Sequence, residues 1–347
     1  MKNAFKIASI YIGTVIGAGF ASGQEVIKFF AYYGYKGFFG VVIALLLFSI
    51  IGTGILLYVH KHKISSHDEL LEDIFGIHTA KIINKVVFVL LFSIYCVMLA
   101  GSGVLIEEYF HCSMKVGIII MSMITCIVFI CGINGLAIVN MIIVPLIFLG
   151  IVMISISVSF TDLVEVGLAV PVMKYNITGN FMTSSLLYVS YNSIGAIIVM
   201  SSMGDFIKDK KTAIVGGVLG GVGLGLMLFF LFLPTNMLYA TIFDSEIPMI
   251  TIASYLGEIP KILYSILLWG AMLTTAIANG YVLIQNIEKR IKLHHIVICI
   301  LFCIITMPLA GFGFKNLINF LYPLFGYVGL FIFILMGYQI IKKRIRI

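Results

Sequence analysis

Residues 13–25 read Gly13-Thr14-Val15-Ile16-Gly17-Ala18-Gly19-Phe20-Ala21-Ser22-Gly23-Gln24-Glu25. They lie inside an apolar run over 5–33, long enough to cross a hydrocarbon core about 30 Å thick. Each glycine weakens a helix by roughly 1 kcal/mol relative to alanine, so four of them predict a span that breaks midway. Open backbone in lipid persists only where it faces protein or a wet cavity. There, helix ends offer N–H groups to an anion and carbonyls to a cation.

A second polar interruption, Tyr188-Val189-Ser190-Tyr191-Asn192-Ser193-Ile194-Gly195-Ala196, sits halfway through the apolar run 180–206. Ten such runs follow one another, near 5–33, 36–59, 82–110, 115–133, 134–160, 180–206, 211–237, 259–289, 293–310 and 315–340. The division between the fourth and fifth falls at Gly132-Ile133-Asn134-Gly135. A shift of 178 residues lays the first five runs on the second five. It also pairs Ile16-Gly17-Ala18 with Ile194-Gly195-Ala196, and Pro145-Leu146 with Pro323-Leu324. Five is odd, so the second copy enters the membrane from the opposite side, which is the inverted repeat common in secondary transporters. The expected fold is an all-α integral membrane protein of ten transmembrane helices in a 5+5 inverted repeat. Helices 1 and 6 are expected to be discontinuous. One transmembrane domain covers 1–347, its repeats running over about 5–160 and 180–340.

Composition agrees with this. Hydrophobic residues make up 61% of the 347 and charged residues 11%, with a mean hydropathy of +1.14. A soluble domain keeps about a quarter of its residues charged. The net charge of +7 does not indicate nucleic acid, because no basic stretch is interleaved with aromatics. With the N-terminus in the cytoplasm, sixteen Lys and Arg fall on that side and six on the other. The asymmetry predicts that both termini are cytoplasmic. The partners expected are the lipid bilayer and a small-molecule substrate.

Several features carry no chemistry. The six cysteines form no CxxC pair and read as packing residues. The histidines match no metal spacing and read as solvated surface. Lys2, Lys6 and the following apolar stretch imitate a secretory signal, but the run resumes past Ala21 and reads as a retained span. The glycine run from Gly216 to Gly223 imitates a phosphate loop without the following Lys-Ser/Thr and reads as helix packing. Residues 68–73 predict a short amphipathic interfacial helix, 161–179 and 238–258 longer external loops, and 250–256 a helical element. No nucleophile–base pair or metal cluster lies at membrane depth, so an enzyme is not expected.

At GTVIGAGFASGQE, with the ten-span layout, the chain resembles the YkvI-like amino-acid permeases of bacteria. More broadly it resembles transporters of the LeuT fold, in the amino acid–polyamine–organocation superfamily. The resemblance implies ion-coupled transport of amino acids or similar zwitterions by alternating access, in the bacterial cytoplasmic membrane. It implies no cofactor besides a coupling sodium ion. That ion would be held by the Gly13 and Ile16 carbonyls, the Ala271 carbonyl, and the hydroxyls of Thr274 and Thr275. Ile16, Gly17, Ala18 and Gly19 would present amides to a substrate carboxylate, and Tyr95 a hydroxyl. Tyr191, Asn192 and Ser193 would occupy the unwound part of the sixth span, with Tyr188 as an aromatic lid.

Three alternatives stay open. Thr274 and Thr275 fit a sodium site or a bond back to their own helix. Glu25 fits a coupling group, a substrate amine partner or a gate residue, and equally a snorkelling surface carboxylate. The solute fits a zwitterion or another small polar molecule such as a betaine or nucleobase, moved with protons. A non-transporting sensor or channel is the remaining class.

Overall fold

The computed structural model describes residues 2–131, 136–160 and 178–345. The Gly132–Gly135 division, most of the 161–179 loop and the last two residues lie outside them. The first apolar run folds as three short helices: α1 (Lys2–Val15), α2 (Ala18–Ser22) and α3 (Gln24–Phe29). The break expected in this span is present. Gly17 is extended, with φ −105° and ψ 178°. Gly23 sits between α2 and α3 at φ 83°, a left-handed conformation that a side chain would strain.

Next come α4 (Tyr35–His62), α5 (His67–Phe75), α6 (Ile77–Phe110), α7 (Met114–Cys131) and α8 (Leu136–Ser159). The second half has α9 (Phe181–Ser201), α10 (Lys210–Met237), α11 (Tyr239–Ile242) and α12 (Pro248–Tyr255). It ends with α13 (Glu258–Glu288), α14 (His295–Ala310) and α15 (Phe314–Ile345). Among the described residues, eight helices are long and apolar enough to cross a membrane, and His295–Ala310 is a shorter apolar helix. α5 and α12 match the short helices expected at 68–73 and 250–256. α5 starts on a Ser66 cap that accepts from the Glu69 N–H and buries Leu70, Leu71 and Ile74.

One expectation fails. α9 is a single helix through Tyr191, Asn192 and Ser193, with no unwound segment. Two of the polar residues there bond to their own helix: Ser190 donates to the Leu186 carbonyl at 2.6 Å, and the Asn192 amide to that of Tyr188 at 3.0 Å. Lone Gly195 does not break the run, whereas four glycines in the first span do.

The helices form two packed groups. α1, α4, α9 and α10 make one, and α6, α7, α13 and α14 the other, with α15 packing on both α9 and α6. The glycine run of α10 lies against α4 and α1, as expected. A Cβ on Gly217 would stand 2.6 Å from the Thr53 Cα, and one on Gly216 would stand 3.0 Å from Ile7. The outer surface shows Ile50, Met153, Ile266, Phe331 and Ile334, all more than 60% exposed. Such a belt is stable against lipid and unfavourable against water.

Candidate functional site

Beyond the break in the first span, α3 packs on α9, α10 and α15 and carries Glu25 against α9. Its carboxylate is 4% exposed, so the snorkelling alternative is rejected. The Tyr191 hydroxyl, from the middle of α9, donates to Glu25 Oε2. The other oxygen, Oε1, faces Gly19. A Cβ there would collide with it and stand 3.0 Å from the Tyr322 hydroxyl of α15. Gly19 therefore gives its side-chain space to the carboxylate and a phenol. The Tyr188, Tyr191 and Tyr322 phenols all lie within Coulombic reach of Glu25.

Aromatic packing fixes these groups. The Tyr191 ring lies 5.7 Å from Tyr188 at 86° and 5.0 Å from Tyr322. Tyr188 is fully buried among Phe20, Phe29, Phe30 and Phe48, with ring centroids 4.9 to 6.5 Å away. Its hydroxyl has no hydrogen-bond partner among the described residues, nor has the buried Ser193 Oγ. The Ser184 hydroxyl fastens the end of α3 to α9 through the Phe29 carbonyl at 2.7 Å.

The residues expected to hold a cation are partly gathered. The Gly17 N–H turns to the Val15 carbonyl at 2.9 Å, so the Gly13 carbonyl loses its regular helical donor. Thr275 on α13 faces this break, 3.9 Å from where a Gly17 Cβ would be. Ile16, Ala271 and Thr274 are buried, and α13 packs on α2. The Thr274 hydroxyl donates to the Ala271 carbonyl at 3.1 Å, so these two oxygens are paired with each other. Of the amides expected to meet a carboxylate, Ile16 N–H donates to Ile12 and Gly17 N–H to Val15. Ala18 and Gly19 open the first turn of α2.

Tyr95 is elsewhere. Its hydroxyl pairs with Thr125 Oγ1 at 2.9 Å, and its ring packs on Phe302 and Phe129 in the second group. Four histidines read as solvated surface are engaged: His60 meets the Ile207 carbonyl at 3.2 Å and His62 pairs with Asp73 at 3.4 Å. His67 meets Asn84 at 3.1 Å, and His295 bridges Glu288 and the Phe129 carbonyl. Among the cysteines read as packing residues, Cys112 and Cys131 are exposed.

Sequence reasoning missed the parts that close the site. Gln24 Nε2 donates to the carbonyls of Ser245 at 2.5 Å and Glu246 at 3.0 Å, in the loop between α11 and α12. Tyr264 on α13 donates to the Ala21 carbonyl at 2.6 Å. Lys315 binds Asp244 at 2.5 Å, and its N–H donates to Glu246 at 3.0 Å. On this face the first span is latched to both neighbours. A cavity of about 440 Å³ opens between α4 and α15, lined by Tyr58, Lys61 and Met336 among others, but it touches none of the site residues. Tyr322 was also missed; its only signal is a lone phenol before a mid-helix proline.

A broken first span, a buried carboxylate and two packed helix groups define a multi-pass α-helical membrane protein of the fold seen in Mhp1. The inward-facing conformation of Mhp1 superposes with a TM-score of 0.68 at 14% identity, covering 97% of this chain and 75% of that one. Mhp1, a nucleobase-cation-symport-1 family transporter, superposes in a closed conformation with bromovinylhydantoin bound at 0.62 and 16% identity, covering 93% and 74%. A mutant of the Eremococcus coleocola manganese transporter gives 0.59 at 12% identity, covering 95% and 78%. At these identities the likeness concerns the fold. In sequence, the chain is 28% identical over 329 residues to the uncharacterized membrane protein YkvI of Bacillus subtilis (strain 168), covering 94% of this chain and 93% of that protein. It is 26% identical over 343 residues to the uncharacterized protein YyaD of the same organism, covering 96% of each. No family model matches the chain.

Proposed function

We propose that the chain is a secondary transporter of amino acids or similar small zwitterions, coupled to sodium and working by alternating access. Its ten segments form a 5+5 inverted repeat in the cytoplasmic membrane with both termini inside. The observation that carries the reading is the junction of α1, α2 and α13. There a broken helix frees the Gly13 carbonyl and Thr275 stands opposite Gly17. Hard oxygen ligands without formal charge suit a monovalent cation. Sodium would draw Thr274 and Ala271 out of their mutual bond and join them to Gly13, Ile16 and Thr275. The shared fold with Mhp1 and the 178-residue register of the helices support the architecture.

A second reading has its own observation. Glu25 is buried among tyrosines, and carboxylates at membrane depth serve as proton relays in many transporters. In that case protons drive uptake and the threonines only pack.

The test is uptake of a labelled amino-acid mixture into proteoliposomes with a sodium gradient, a proton gradient or neither. Uptake only with sodium supports the first reading and uptake only with protons the second. No uptake under any gradient, from protein shown to be folded, overturns amino acids as the substrate class.

A further inference from the structure

At Glu25 charge and surroundings disagree. The carboxylate is buried at membrane depth. Among the described residues the ion pairs join His62 to Asp73, Lys261 to Glu108, His295 to Glu288 and Lys315 to Asp244, and none reaches Glu25. An isolated buried carboxylate is costly, and one phenol O–H offsets only part of that cost. Such a group either holds a proton or draws a positive charge to itself.

Three features say what kind of cation fits. The Tyr191 ring, whose hydroxyl meets the carboxylate, packs on the rings of Tyr188 and Tyr322. A hard alkali ion wants a full shell of oxygens, whereas an ammonium group is attracted to ring faces. Tyr188 Oη is buried without a hydrogen-bond partner among the described residues, so a hydroxyl oxygen stands ready for an N–H donor. Finally, α9 is unbroken, so its carbonyls at this depth are consumed by helical bonds. With no open carbonyl end on that helix, only its side chains can meet the positive end of a solute there.

We propose that Glu25, Tyr188, Tyr191 and Tyr322 form a recognition site for a protonated amine. The ammonium group displaces the Tyr191 hydroxyl from the carboxylate, donates to Glu25 and to Tyr188 Oη, and rests against the tyrosine rings. This deepens the transporter reading and depends on it only for the route by which the amine arrives.

The test is ligand-dependent thermal stability of the full chain in lipid nanodiscs. The probe is isobutylammonium chloride, compared with isobutanol, sodium chloride and potassium chloride at matched ionic strength. Saturable stabilisation by the ammonium salt alone is expected. Glu25→Gln should weaken it about 100-fold, and Tyr188→Phe about tenfold. If Glu25→Gln does not fold, Tyr188→Phe decides the matter, and unchanged affinity in that variant overturns the site. Equal responses to the amine and the alcohol overturn it too, as does a saturable response to sodium or potassium without one to the amine. Amine binding without any uptake would overturn transport and leave this site standing. Uptake of neutral solutes without amine binding would do the reverse.

Discussion

The Tyr191 hydroxyl binds Glu25 across 166 positions of sequence, joining the middle of an intact helix to the outer piece of a broken one. The two residues come from the two runs that the 178-residue shift lays on one another. Opening of the site must break or carry along this bond.

Tyr191→Phe removes the donor and leaves a buried carboxylate oxygen bare. The variant should lose about 1–3 kcal/mol of stability, the cost of an unsatisfied buried polar group. Thermal denaturation in detergent measures this, and an unchanged midpoint would show that Glu25 does not need the phenol.

Gly19→Ala should keep the fold and lower transport at least about tenfold. The added methyl pushes on Glu25 Oε1 and the Tyr322 hydroxyl together. The double change Gly19→Ala with Tyr322→Phe should recover part of the loss, because one of the two clashing atoms is gone. Initial uptake rates of the three proteins give the comparison.

Gln24→Ala deletes two bonds to the loop before α12. At about 1 kcal/mol each, the ratio of closed to open on this face should fall roughly tenfold or more. Thiol labelling of a Ser22→Cys reporter in a cysteine-free background reads this directly, since Ser22 is fully buried when the face is closed. Labelling at the parental rate would remove Gln24 from the latch.

Thr274→Ala with Thr275→Ala should abolish any sodium dependence of transport while leaving folding intact. Uptake titrated against sodium decides it, and an unchanged sodium curve would assign the two hydroxyls to helix packing.

The Lys315 hydrogen bond, and then its charge, hold the Asp244 carboxyl below its usual range. A depressed carboxylate contributes fully above its ordinary value of about 3.9 and loses that contribution as pH falls through the depressed one. Labelling of the Ser22→Cys reporter, taken at each pH relative to free cysteine because the thiolate is the reacting form, should therefore stay flat from about pH 8 to 5 and rise only below about 4. In Asp244→Asn the higher rate should already be present at neutral pH.

The first span was legible because its glycines act locally, through backbone freedom that needs no partner to be recognised. The sixth misled because polarity in a span has two outcomes. Ser190 and Asn192 return their hydrogen bonds to their own helix, and nothing in the letters distinguishes that from facing a solute. Glu25 stood out as an acid at membrane depth, yet it shares the space beside Gly19 with Tyr322, almost three hundred residues away and unmarked by any motif. Tyr95 was placed by a loose correspondence, and its Thr125 partner lies in a helix that offered no signal. The latch is invisible for another reason, since Gln24 meets main-chain carbonyls, which every residue has.

The glycine seam between α10 and α4 has one more consequence. Where Gly217 meets Thr53 the two backbones come so close that a Cβ on the glycine would stand 2.6 Å from the Thr53 Cα and N, leaving little room to slide. The pair is a keel: it can tilt in the bilayer but cannot shear along its own seam. Work done in exposing one face and then the other must therefore be spent at the softer joints of the first span, around Gly17 and Gly23. The temperature dependence of turnover should then be set by those few residues rather than by the bulk of the helices.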